Sequence, residues 1–174
     1  ELVYVTQVGD DRVFLLDALR RSAEVAELVV CTGGIGPTDD DLTREAIAEL
    51  VGEEPEVDEH LLADLENFFR SRGQEMPARN RKQAWVIPSA TILPNPVGTA
   101  PGWLVETADT PPRLIVAMPG VPREMYKMWT EQALPRILER SSRRIIDSVT
   151  IKTIGIGESA AEQLLHDLVL RADP

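Results

Sequence analysis

The 174-residue sequence has one cysteine, two histidines and only 5% aromatic residues. A lone thiol, Cys31, excludes an internal disulfide framework and fits a reducing, cytoplasmic setting. The histidines, His60 and His166, have no partner at metal-ligand spacing and read as surface residues. With so few aromatics the core must rest on Leu, Val, Ile and Ala. Trp85, Trp103 and Trp129 then read as core or interface, not as a base-stacking platform. No apolar run approaches the ~20 residues needed to span a bilayer, so no membrane role is expected. Positive charge is also scarce: 18 Lys and Arg stand against 29 Asp and Glu, a net charge of −11. Such a surface repels nucleic-acid phosphates and excludes a DNA- or RNA-binding role. Any phosphorylated ligand must therefore be held by backbone donors, local Lys or Arg, or a cation.

What is present is an alternation of strand and helix patterns. Residues 2–8 are β-branched and weakly alternating and predict a strand, not a signal peptide. Asp10 predicts an N-cap for an amphipathic helix over 11–24. Residues 27–32 form an almost continuous apolar run, as in a parallel strand buried on both faces. A Gly-rich loop and a helix over 41–51 follow, then a helix over 58–72 and a basic connector over 76–84. Short strands are expected at 85–87 and 91–93, broken by Pro88 and Pro94, and paired strands at 102–107 and 113–118. A helix from Pro122 to about residue 140 should kink or break at Pro135. The implied class is α/β: three layers, αβα, around a mostly parallel sheet. The character changes after Ser141, so the division expected is 1–142 and 143–174, with a strand over 143–154 and a helix over 159–171 in the second part.

The chemistry concentrates between 32 and 41. Strand, Gly-rich loop and helix is the layout of a phosphate site, because glycines admit the ligand and free N–H groups attract it. Gly33, Gly34 and Gly36, with the Thr38 hydroxyl, are the expected cradle. Two common fingerprints fail. No Gly-Lys-Ser/Thr follows Gly36, and Asp39 stands where a dinucleotide loop needs a third glycine or alanine. Asp39, Asp40 and Asp41 follow instead. Like charges ~4 Å apart interact by ~4 kcal/mol at an effective dielectric of ~20. The aspartates would expel a phosphate unless a hard divalent cation lay between, which suits Mg²⁺ or Mn²⁺ held by Asp40 and Asp41. The plainer reading leaves Asp41 as a helix cap and its neighbours solvated. Arg79, Arg81 and Lys82 are the densest basic cluster of the first hundred residues and a candidate counter-charge, with Lys82 favoured. The proline-stiffened loop 95–102 offers Asn95, Gly98 and Thr99 as contacts to ribose or base.

The run Thr32-Gly33-Gly34-Ile35-Gly36-Pro37-Thr38-x-Asp40-Asp41-x-Thr43 resembles the CinA version of a motif found in molybdopterin-binding domains of the MoaB, MogA and gephyrin type. The stretches 80–84, 93–102 and 118–125 agree with it, so the resemblance covers residues 1 to about 140. It implies a MoaB/MogA-like fold and two required acids, at the positions of Asp10 and Asp41. It implies hydrolysis of the pyrophosphate of ADP-ribose, giving AMP and ribose 5-phosphate, with a divalent metal such as Mg²⁺, Mn²⁺ or Co²⁺. Two alternatives stay open: a molybdopterin-binding protein of cofactor biosynthesis, and a non-catalytic nucleotide-binding module. The family pattern begins with one further βα unit that is not found here, and an oligomer is expected. Residues 155–160 formally fit G-x-G-x-x-A, but no second βαβ strand follows. They resemble the start of the second CinA domain instead.

Overall fold

The computed structural model describes residues 2–140, 150 and 152–171. The chain divides into two compact units, Glu1–Ser142 and Arg143–Pro174.

In the first unit, helix α1 (Arg12–Val25) starts where Asp11 accepts hydrogen bonds from the Val13 and Phe14 N–H groups at 2.8 and 3.1 Å. The cap is thus Asp11 and not Asp10. Only Asp11 combines an extended backbone with a side chain over the first turn. Strand β1 (Leu28–Thr32) leads into the Gly-rich loop and α2 (Thr43–Val51), which Gly52 ends in the left-handed conformation at φ 72°. A short β2 (Glu56–Val57) precedes α3 (Glu59–Arg70), capped by Asp58. A 3₁₀ turn over Ala78–Ala84 then joins β3 (Trp85–Val86), antiparallel to β2.

The main sheet is built from β1, β4 (Ala90–Leu93), β5 (Gly102–Glu106) and β6 (Leu114–Met118), in the order β1-β6-β5-β4. β1 and β6 are parallel, from Leu28 opposite Leu114 to Thr32 opposite Met118. The other two pairings, β4 with β5 and β5 with β6, are antiparallel. Among the described residues the sheet is therefore mixed where a mostly parallel one is expected. The connections 94–101 and 107–113 are too short for crossover helices, so they force antiparallel neighbours.

Side chains of β5 and β6 alternate between two faces. Trp103, Val105, Ile115 and Ala117 pack with Leu19 of α1 and Ile47 of α2. Leu104, Val116 and Met118 pack with Met128 and Ala133 beyond the other face. These central strands are buried on both sides, which makes the αβα layering. The helical run after β6 is split, as Pro135 predicts. α4 (Pro122–Met128) passes through a wider π-type turn over Trp129–Ala133 into α5 (Leu134–Arg140). The Leu134 N–H reaches the Trp129 carbonyl, five residues back, beside a proline that has no N–H to give.

One expected element is absent. Residues 2–9 form no strand, and Leu2 and Val5 are 78% and 83% exposed. A strand exists only against a partner edge, and among the described residues β1 is hydrogen-bonded to β6 alone. In the second unit, α6 (Glu158–Arg171) follows Gly155. The strand expected over 143–154 lies largely outside the described residues. Among those that are described, no helix is long and apolar enough to cross a membrane.

Gly102 opens β5 where a Cβ would stand 2.6 Å from the Ala117 carbonyl oxygen and would also overlap the Met128 sulfur. Gly102→Ala is expected to cost about 1–3 kcal/mol of unfolding free energy, measured by urea denaturation.

Candidate functional site

β1 and β6 end side by side, and the loops that leave them meet. The Gly33 N–H bonds to the Met118 carbonyl at 2.9 Å, which extends the ladder by one step. Gly33 and Gly34 then turn left-handed, at φ 89° and 65°, a region costly for residues with a side chain. Across from them, a Cβ on Gly120 would lie 3.2 Å from the Gly33 Cα, so the two loops approach backbone to backbone. The Thr43 hydroxyl donates to the Gly33 carbonyl and its N–H to the Gly34 carbonyl, both at 2.9 Å. The loop is thereby tied to the first turn of α2. Ile35 is buried and anchors it to the core. No protein acceptor is found for the Gly34 and Ile35 N–H groups among the described residues.

The three aspartates have different fates. Asp41 does not cap α2, whose N-cap is Leu42 and has no side-chain hydrogen bond. Its carboxylate turns back into the loop and accepts from the Thr38 N–H at 2.8 Å and the Thr38 hydroxyl at 2.5 Å, both at Oδ2. The largest single influence on its pKa, loss of water around the carboxyl, pushes upward. The Thr38 hydroxyl and N–H, the Gly36 backbone and the Lys82 charge together outweigh it and hold Asp41 below its ordinary 3.8. Asp39 and Asp40 are exposed. Asp10 is also exposed, at the start of α1, and no hydrogen bond or ion pair joins it to the loop among the described residues. Those residues contain no group of three or more His, Cys, Asp or Glu able to hold a metal ion. The protein thus offers no closed cage. One or two carboxylates beside a pyrophosphate still match how Mg²⁺ is usually held, with phosphate oxygens and water completing the shell.

The basic cluster is split by the 3₁₀ turn. Arg79 and Arg81 are exposed, with Arg81 3.9 Å from Glu59. Lys82 turns inward. Its Nζ pairs with Glu45 at 2.6 Å and donates to the carbonyls of Thr38, at 3.3 Å, and Asp41. Three acceptors match its three donors, so Lys82 supports the loop and is not an open cation awaiting ligand. The third segment, 95–101, is stapled internally. Asn95 Nδ2 donates to the Ala100 carbonyl at 3.0 Å and to Glu124 Oε2 at 2.7 Å, and Thr99 accepts from Gln83 at 3.1 Å. Gly98 lies against the Glu124 carboxylate, where a Cβ would clash. Gly33, Gly34, Gly36, Thr38, Lys82 and Asp41 are therefore gathered in one loop system. Asn95, Gly98 and Thr99 form an adjoining wall.

Sequence reasoning passes over three participants. Thr43 lies within the motif, but its two bonds to the loop backbone need the fold. Glu124 reads as a helix-dipole residue until Asn95 and Gly98 are placed against it. Arg44 gives no signal at all. Its guanidinium is 1% exposed, and burial pulls its pKa down to about 10 while Glu45 and Asp41 oppose the shift. Cys31, beside the loop, is pushed up to about 11 by burial, so its thiol stays protonated and inert at neutral pH. A broad depression of about 670 Å³ runs along α1, lined by Arg12, Phe14, Arg20 and Glu49, and includes none of the loop residues.

The chain matches a family model described as "Probable molybdopterin binding domain" over residues 1–139. It is 54% identical to a CinA-like protein of Thermomicrobium roseum over 97% of its own length and 41% of the relative's. A CinA-like protein of Deinococcus deserti is 50% identical over the same shares. The chain thus spans about two fifths of the length of these relatives. A solved structure of the protein CinA, of unknown function, from Thermoplasma acidophilum superposes with a TM-score of 0.60 at 36% identity, covering 75% of this chain and 71% of that one.

A carboxyl held low by the loop contributes stability above its unfolded pKa, and that stability is lost as pH falls through its folded pKa. In an NMR titration followed at the side-chain carboxyl carbon, Asp41 is expected to titrate below 3.8, and Thr38→Val to move it upward. An unchanged midpoint in Thr38→Val would refute the loop bond as its cause.

Proposed function

Because the chain belongs to the family of molybdopterin-binding domains, among its CinA-like members, we propose that its Gly-rich loop binds the pyrophosphate of an ADP-ribose-like nucleotide and promotes its hydrolysis. The observation that carries this reading is the loop itself. It leaves donor N–H groups at Gly34 and Ile35 and sets the Asp41 carboxylate, ionised at neutral pH, within a few residues of them. Anion donors and a fixed carboxylate in one turn suit a phosphate that arrives with a cation, and suit a bare anion poorly.

Asp41, with Asp40 exposed beside it, would hold a divalent ion such as Mg²⁺, Mn²⁺ or Co²⁺ through the lone pairs that Thr38 leaves open. When bound, such an ion supplies charge neutralisation on the pyrophosphate oxygens and lowers the pKa of nearby water. The free amides of Gly34 and Ile35 orient the phosphates. The Asn95–Glu124 pair and Thr99 form the wall facing the ribose or base. Water adds to one phosphorus as the bond to the bridging oxygen breaks, leaving AMP and ribose 5-phosphate. Asp41, held in its charged form, orients the attacking water, whose proton passes to solvent, and Asp10 is a second acid.

The family match also favours a second reading: a small phosphorylated pterin occupies the same loop, and the domain binds without cleaving. AMP release from ADP-ribose, followed by chromatography with and without each metal, separates the two. Metal-dependent release is expected, falling by ~100-fold or more in Asp41→Asn and less in Asp10→Asn. Tight molybdopterin binding with no AMP in any metal would replace the hydrolase reading by the second one.

A further inference from the structure

Arg44 lies in α2 beneath the site, and nothing in the chemistry above uses it. Its two terminal nitrogens diverge. Nη1 donates to the Ile35 carbonyl at 2.6 Å, in the Gly-rich loop, and Nη2 donates to the Pro101 carbonyl at 2.6 Å, at the end of the loop that enters β5. The guanidinium carbon lies 5.5 Å from the centroid of the buried Trp103 ring. The fully buried Nε has no partner, so the head is arranged for the two loop carbonyls and not for general satisfaction of its donors.

Stability alone does not call for arginine here. Removing a cation from water is costly, and an apolar side chain of similar length fills such a space at less expense. What an apolar side chain lacks is a rigid fork with donors on two edges. The fork matters because of the strand order. β6 separates β1 from β5, so no ladder hydrogen bond runs between the strand that launches the Gly-rich loop and the strand that receives the second loop. The ladders through β6 fix where the two strands stand, but beyond the strand ends no ladder joins the loops, and Arg44 bridges them directly. Trp103 holds the fork from one side and is itself fixed by a 3.2 Å bond from its Nε1 to the Trp85 carbonyl.

We propose that Arg44 is a positioning residue that couples the Gly-rich loop to the 95–101 loop and so sets the distance between the two loops. The coupling is a property of the free protein. Its effect on nucleotide affinity rests on the hydrolase reading given above.

The test uses the full chain carrying Arg44→Met or Arg44→Lys. Hydrogen exchange is measured without ligand, and ADP-ribose affinity with Mg²⁺ is measured by calorimetry. In Arg44→Met, exchange is expected to rise at least ten-fold at the bonded amides of both loops, Gly33 and Gly36 in the first and Val97 in the second, while β5 and β6 stay protected, and ADP-ribose affinity to fall at least ten-fold. Arg44→Lys reaches only one carbonyl at a time and should leave one loop protected, with intermediate affinity. A core-filling role predicts instead a uniform loss of protection, or none. Folded variants with wild-type exchange in both loops, or with loosening in one loop of Arg44→Met only, would overturn the coupling. If Arg44→Met does not fold, the one-loop signature of Arg44→Lys decides. If the wild type binds no ADP-ribose, the hydrolase reading fails and the exchange data still judge the coupling.

Discussion

The parallel pairing of β1 with β6, with Thr32 opposite Met118, sets where every loop of the site begins. Both chains leave the sheet at the same level and on the same side. The Gly33 N–H prolongs the ladder onto the Met118 carbonyl, and Gly120 then presses its backbone against Gly33. A Cβ on Gly120 would be crowded at 3.2 Å from the Gly33 Cα, and Gly33 is held to glycine by its positive φ. Shift the pairing by one residue and the glycines no longer face each other, while every side chain of β1 changes face. The αβα layering is the other consequence of the same pairing, because it leaves β6 and β5 central and covered on both sides.

On a chain of net charge −11, the site is balanced locally. Lys82 and Arg44 lie beneath the loop that carries Asp39, Asp40 and Asp41, and both direct their donors to carbonyl oxygens of loops that wall the site. The Lys82 charge lowers the cost of holding the Asp41 carboxylate in the loop. In return, Asp41 and Glu45 favour the charged form of the buried Arg44. This reciprocity makes the loop a rigid acidic turn on a cationic footing. That is a suitable base for an anion accompanied by a cation, and a poor one for a long polyanion such as nucleic acid.

Much of this was legible in the sequence, for identifiable reasons. The periods of α1, α2 and α3 and the continuous apolar strands β5 and β6 follow from burial, which is a property of the residues themselves. Pro135 marks its own break, since a missing N–H cannot be supplied by context. The Gly-rich motif identified the loop. The segment 2–8 failed as a strand because strandness belongs to a pair of segments and a sequence window displays only one. The pairing of β5 with β6 around a turn was legible, but the share of parallel pairing was not. Alternating strand and helix patterns suggested crossovers, while the short links 94–101 and 107–113 impose hairpins.

The sequence by itself determined the helices and central strands, the core composition, the acidic surface and the chemical identity of the loop. Each of these depends on residue type and local spacing. The tertiary structure alone decided what the charged side chains do. Lys82 and Asp41 are 41 positions apart, and Arg44 and Pro101 are 57 apart, and no local signal encodes either contact. A lysine read as a ligand contact supports the loop, an aspartate read as a metal ligand, or more plainly as a cap, is stapled within the loop, and an arginine without any motif bridges two loops. The physical reason is common to all three. A charged group acts through the few ångströms around its head, and only the folded chain brings the partners within that distance.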